Sequence, residues 1–156
     1  MKRSPKRPRT PEDDLRLQDT VRLSAEGLAK VLGDLEARVM RAVWRLAEPV
    51  PARAVHSLVA KEHRVAVLTV VTVLNKLVVK GLLKREKRND LLHYEARITE
   101  EAFMAHASRR VVEGILSLGS QAVAASLVDV LAEASPQQLA ELGRLVQARL
   151  KDQERK

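Results

Sequence analysis

The chain has 156 residues, a formal net charge of +8, no cysteine and 46% apolar residues, among which Trp44, Tyr94 and Phe103 are the aromatics. That length suits one domain, or a small domain with an appendage, built on an aliphatic core. The missing cysteines exclude disulfides, thiolate metal sites and a Cys nucleophile. No apolar run reaches the roughly 18 to 20 residues of a membrane span and no signal-peptide pattern opens the chain, so a soluble, cytoplasmic protein is expected.

The basic charge is segregated. Residues 1–11 carry five cations and no anion, and residues 52–97 carry ten cations against four anions, whereas the two remaining stretches are slightly acidic. Charge placed this way predicts a polyanion-binding face, where an even mixture would only solubilise. The opening MKRSPKRPRTPEDD combines proline with a charge run and is expected to be disordered; residues 1–31 read as a basic arm and linker, with a short helix beginning at Ser24.

From Asp34 onward the pattern sharpens. Leu35, Val39, Val43 and Leu46 recur at helical spacing and predict an amphipathic helix that stops before Glu48-Pro49. A second helix is predicted from Pro51, as first helical residue, to about Glu62, with Val55, Leu58 and Val59 inward. The following VAVLTVVTVL has the composition of a buried strand, but Val70-Val71 and Val73-Leu74 are adjacent apolar pairs, and alternation fails. On a helical wheel Val70, Val73, Leu74 and Leu77 fall within about 100° of arc, and Leu68, Thr69, Thr72, Lys76 and Val79 occupy the other side. A helix ending at Lys80-Gly81 is therefore predicted.

Leu82–Glu86 and Leu91–Ala96 read as two strands around Lys87-Arg88-Asn89-Asp90, where Asn-Asp suits a tight turn. Three helices followed by a basic hairpin is the element order of a winged helix-turn-helix, whose third helix enters the major groove while the hairpin follows the backbone. A winged-helix domain is thus expected over residues 32–97. Thr99 is placed to cap a further helix with Phe103, Ala107, Val111, Ile115 and Leu118 on one stripe. Val123, Leu127, Val130 and Leu131 mark another after Gly119-Ser120. Ser135-Pro136-Gln137-Gln138 starts a last helix carrying Leu139, Leu142, Val146 and Leu150. These helices, residues 98–152, are near neutral and are expected to associate. Phe103, Val111, Ile115, Leu127, Leu131, Leu139, Leu142 and Val146 are the candidate dimer residues, and truncation after Ala96 is expected to leave a monomer.

The ordered combination resembles a known family, the penicillinase repressors. Leu32-Gly33-Asp34-Leu35-Glu36 with Val39-Met40 and Val43-Trp44 is similar to that family's opening helix. Thr69-Val70, Thr72-Val73-Leu74, Leu77, Lys80-Gly81-Leu82-Leu83 and Tyr94 are similar to its recognition helix and wing. Over about residues 32–150 the resemblance implies a mainly α protein: a homodimeric transcriptional repressor with an N-terminal winged helix and a C-terminal helical dimerisation region. It also implies double-stranded DNA and a second copy as partners, and inactivation through a membrane sensor protease. Three departures stand out. The family's usual Lys or Thr is Leu68, its wing-tip Gly-Arg is Asn89-Asp90, and its Asn-Phe cleavage pair is missing near Ser108-Arg109-Arg110-Val111-Val112. Release by proteolysis is accordingly not expected, and without cysteine neither is the metal sensing of the related copper-responsive repressors.

Leu68, Thr69, Thr72 and Lys76 are the candidate groove residues, with Lys80, Lys84, Arg85, Lys87 and Arg88 positioning phosphate. The bland alternative is a solvated face. Lys2, Arg3, Lys6, Arg7 and Arg9 suit a basic arm along the minor groove or backbone, or serve only solubility. His56, His63, His93 and His106 lack metal-ligand spacing, and no catalytic triad or phosphate loop is present, so neither an enzyme nor a cofactor is expected. The expected function is a sequence-specific homodimeric repressor acting on a palindromic operator; the alternatives are a protein-interaction module docking through Leu68, Val71 and Val79, or a non-specific architectural DNA binder. Leu68 and Val71 leave the third helix poor in hydrogen-bonding groups, which predicts reliance on thymine methyls and DNA shape.

Overall fold

A computed structural model describes residues 8–11 and 32–156. Most of the basic arm, and the short helix expected from Ser24, lie outside the described residues. Through the described residues the element order is α1 (Asp34–Leu46), β1 (Val50–Pro51), α2 (Ala52–Val59), α3 (Val67–Val79), β2 (Leu83–Arg88), β3 (Leu91–Ala96), α4 (Glu100–Leu116), α5 (Ser120–Ala134) and α6 (Pro136–Glu154). The chain divides into two compact units, the first ending at Arg110 and the second comprising Val111–Lys156.

In the first unit α1, α2 and α3 pack on one another around an aliphatic core, with Val39, Met40, Val43, Val55, Leu74 and Leu77 essentially inaccessible. Glu36 caps α1 by accepting from the Gly33 backbone N–H, which satisfies one of the amides a helix start leaves orphaned. α3 buries Val70, Val73, Leu74 and Leu77, the i, i+3, i+4, i+7 set that its sequence predicts. It ends at a left-handed Gly81, φ 82°, with Gly81 N–H bonded to Val78 O and Leu82 N–H to Leu77 O. This is the Schellman arrangement, in which a Cβ would be strained.

Several boundaries differ from expectation for local reasons. Pro51 precedes α2 as its extended N-cap, because Val50-Pro51 pairs as a short strand with Tyr94 and His93. The sheet order is β1-β3-β2, antiparallel throughout. α3 begins at Val67, and the His56 ring Nε2 lies 2.8 Å from Val65 O, tying α2 to the segment that enters it. β2 runs on to Arg88, past the expected Glu86, since Asn89 and Asp90 both adopt positive φ, 50° and 64°. Two such residues form the primed turn that matches strand twist, so pairing continues to Arg88↔Leu91.

Thr99 caps α4, its Oγ1 accepting from Ala102 N–H at 3.1 Å. Phe103 and Ala107 on α4 are buried within the first unit. In the second unit Ser135 caps α6 by accepting from Gln138 N–H, with Pro136 in the first turn. α5 and α6 pack together, yet neither contains a single buried residue.

Candidate nucleic-acid interface

The outward side of α3 is built by subtraction. With Val70, Val73, Leu74 and Leu77 committed to the core, the 100° step of the helix turns Leu68, Thr69, Thr72, Lys76 and Val79 outward. Leu68 is 78% exposed, an unusual placement for a leucine and the least polar feature of the face. Thr72 donates its hydroxyl hydrogen to Leu68 O at 3.0 Å, within the helix. That side chain therefore offers a partner a methyl group and an acceptor oxygen, but no spare donor.

The wing lies beside this helix and is joined to it at one atom. Side chains alternate along a strand, so Arg85 shares a face of the hairpin with its cross-strand partner Tyr94. Both reach Asn75 on α3: the Tyr94 hydroxyl donates to Asn75 Oδ1 at 3.1 Å and Arg85 Nη1 donates to the same oxygen at 2.8 Å. Tyr94 is 1% exposed, so its hydroxyl needs this acceptor. Sequence periodicity passes over Asn75. The available signal is an asparagine in mid-helix, a poor helix former flanked by apolar residues.

The other cations of the hairpin are held in exposed pairs. Lys84 Nζ lies 2.9 Å from Glu95 across the strands, Arg88 Nη2 3.1 Å from Glu86, and Lys87 Nζ 3.6 Å from Asp90 at the turn. Exposed pairs contribute only about 0 to 1 kcal/mol, so each cation can be exchanged onto a phosphate at little cost. Lys80 is different. Its ammonium donates to both oxygens of Glu36, at 2.7 and 2.9 Å, and the two side chains are only 20% and 13% exposed. It joins the end of α3 to the start of α1, so its charge is already answered by Glu36.

These two lysines give a paired prediction. Lys76→Ala should flatten the slope of log K against log salt by about 0.9 while leaving stability nearly unchanged. Lys80→Ala should leave that slope alone and lower stability by about 2 kcal/mol, because Glu36 loses a charged hydrogen-bond partner. Salt titrations and urea melts of the two variants separate these roles.

The structure distributes the candidate association residues unevenly. Phe103 is fully buried, its ring 5.7 Å from that of Trp44, whose indole N–H donates to Ile98 O at 2.9 Å. It is core of the first unit, with no surface left for a second chain. Leu127 and Val146 are about half exposed, and Val111, Ile115, Leu131, Leu139 and Leu142 are intermediate. Val112, Leu118, Val130, Leu145 and Leu150 add further exposed apolar area.

Among the described residues, no group of three or more His, Asp or Glu side chains could hold a metal ion, and no single helix is long and apolar enough to cross a membrane. No curated protein matches the sequence significantly. The family model of the penicillinase repressors does match, over residues 32–148, spanning the winged helix and most of the C-terminal helices. A match over most of the chain, on a fold with the expected three helices and hairpin, settles the assignment: the chain belongs to the penicillinase repressor family, whose members are transcriptional repressors rather than enzymes.

Proposed function

We propose that the protein represses transcription as a homodimer bound to a two-fold symmetric operator, with α3 in the major groove and the β2–β3 hairpin along the backbone. The observation that carries this reading is the outward face of α3. Leu68, Thr69, Thr72 and Lys76 are exposed on a helix whose opposite face is fully used by the core, beside a hairpin rich in exchangeable cations. Phosphate contacts position such a domain, and the residues on the helix supply sequence preference.

The second unit supports the homodimer. It holds 46 residues, and α5 and α6 bury no side chain although both carry apolar stripes. A unit that small cannot remove this area from water by itself. A second copy presents the same stripe and covers it by two-fold symmetry. Two winged helices joined this way read two half-sites, which is why a symmetric operator follows.

With Leu68 and the Thr72 methyl as its forward groups, α3 reads thymine methyls more than it reads hydrogen-bonding edges. Replacing contacted thymines by uracil, which removes only the methyl, should weaken binding about fourfold per position, the equivalent of one buried methylene. Leu68→Ala should abolish that sensitivity. Equal affinity for the thymine and uracil duplexes would refute this mode of reading, and equal affinity for all sequences would make the protein an architectural binder instead.

A further inference from the structure

Asn75 is the one polar side chain of α3 whose orientation is dictated from outside the helix. Two donors, Tyr94 Oη and Arg85 Nη1, converge on one of its terminal atoms. Convergent donors require that atom to be the carbonyl oxygen, so the amide is set without ambiguity and its NH2 group lies on the opposite side. Asn75 also lines the open groove along α3 with Thr72, Lys76 and Val79. On the wheel it sits about 60° from Thr72 and beside Leu68, on the margin nearest the wing. Among the described residues, no hydrogen bond engages its Nδ2.

We propose that Asn75 is a specificity-determining residue locked as a hydrogen-bond donor, reading an acceptor edge of a base in the major groove: guanine O6 or N7, or thymine O4. The proposal rests on the assignment of α3 to the groove. A free asparagine pairs with adenine through both amide atoms, accepting from N6 and donating to N7. Here both lone pairs of the carbonyl are taken, one by a buried tyrosine and one by Arg85, so that bidentate pairing is closed; adenine N7 stands beside an amino group that a donor-only amide cannot answer, which favours guanine and thymine. Arg85 is exposed, and its remaining N–H donors can take a phosphate on that side while Nη1 stays on Asn75, which leaves the amide to the base.

The test is selection of binding sites from randomised duplex DNA by the full-length protein and two variants. Asn75→Asp is isosteric and still accepts from Tyr94 and Arg85, but it replaces the donor with a second acceptor. One position in each half-site should then switch from guanine or thymine to a base with an amino donor, cytosine or adenine, by roughly tenfold in relative preference, with other positions unchanged. Asn75→Ala, which adds no charge and decides the matter alone if the aspartate variant fails to fold, should flatten preference at that same position. Uniformly weaker binding with unchanged preferences in both variants would place the amide on a phosphate and overturn the proposal. Failure of the unmodified protein to enrich any motif would refute the sequence-specific reading itself, and this proposal with it.

Discussion

Phe103→Ala is expected to destabilise the first unit by about 3 to 5 kcal/mol, the cost of emptying a fully buried aromatic site. The residue lies at the start of α4, outside the three helices and hairpin of the winged helix proper, yet its ring packs on Trp44 of α1. The indole N–H in turn donates to the Ile98 carbonyl. Truncation after Ala96 would therefore remove Ile98, Phe103 and Ala107 from the core, and is expected to unfold the winged helix rather than leave it monomeric. Truncation after Arg110 keeps all three and should give a folded monomer. Thermal melts and sedimentation of the two fragments distinguish these outcomes; a stable fragment ending at Ala96 would show that the start of α4 is dispensable.

Leu142→Asp is expected to dissociate the proposed homodimer. Leu142 lies on the inward-patterned side of α6, partly covered, in a unit with no buried side chain of its own. A carboxylate there would have to be desolvated in the covered state, and nothing in the stripe pairs with it. Loss of the dimer converts two linked half-site contacts into independent ones, so affinity for a full operator should fall about 100- to 10,000-fold, with half-site affinity preserved. Glu141→Gln is the neighbouring control. Its carboxylate is exposed and paired with Arg144, which holds its pKa below the usual range, and its loss should leave the dimer intact. A monomeric Glu141→Gln protein, or a dimeric Leu142→Asp protein, would relocate the interface.

Much of this molecule is legible in its sequence, and the parts that are not share a cause. α3 is readable despite its β-branched composition because adjacent apolar pairs exclude alternation and Gly81 marks its end. The Asn89-Asp90 turn is readable because few residue types accept positive φ in succession. Long-range partners are what periodicity withholds. The α4 stripe is continuous by spacing, but its first positions are covered by Trp44 and the first unit while later ones are only partly covered, and spacing does not say by what a stripe is covered. Lys80 belongs by position to the basic set, and only the fold brings Glu36, 44 residues away, against it. β1 escapes because two residues, one of them proline, carry no alternation at all. Asn75 gains its significance wholly from Tyr94 and Arg85, residues that the hairpin returns to α3.

The proposed reading of thymine methyls by α3 and the proposed symmetric dimer meet in a single footprint. Hydroxyl-radical footprinting of the full-length protein on DNA upstream of its own gene, at two salt concentrations, should show one two-fold symmetric protected window. Its half-sites should lie a whole number of helical turns apart, persisting against excess unrelated DNA as salt is raised. Even protection along the fragment that fades uniformly with salt would contradict the account.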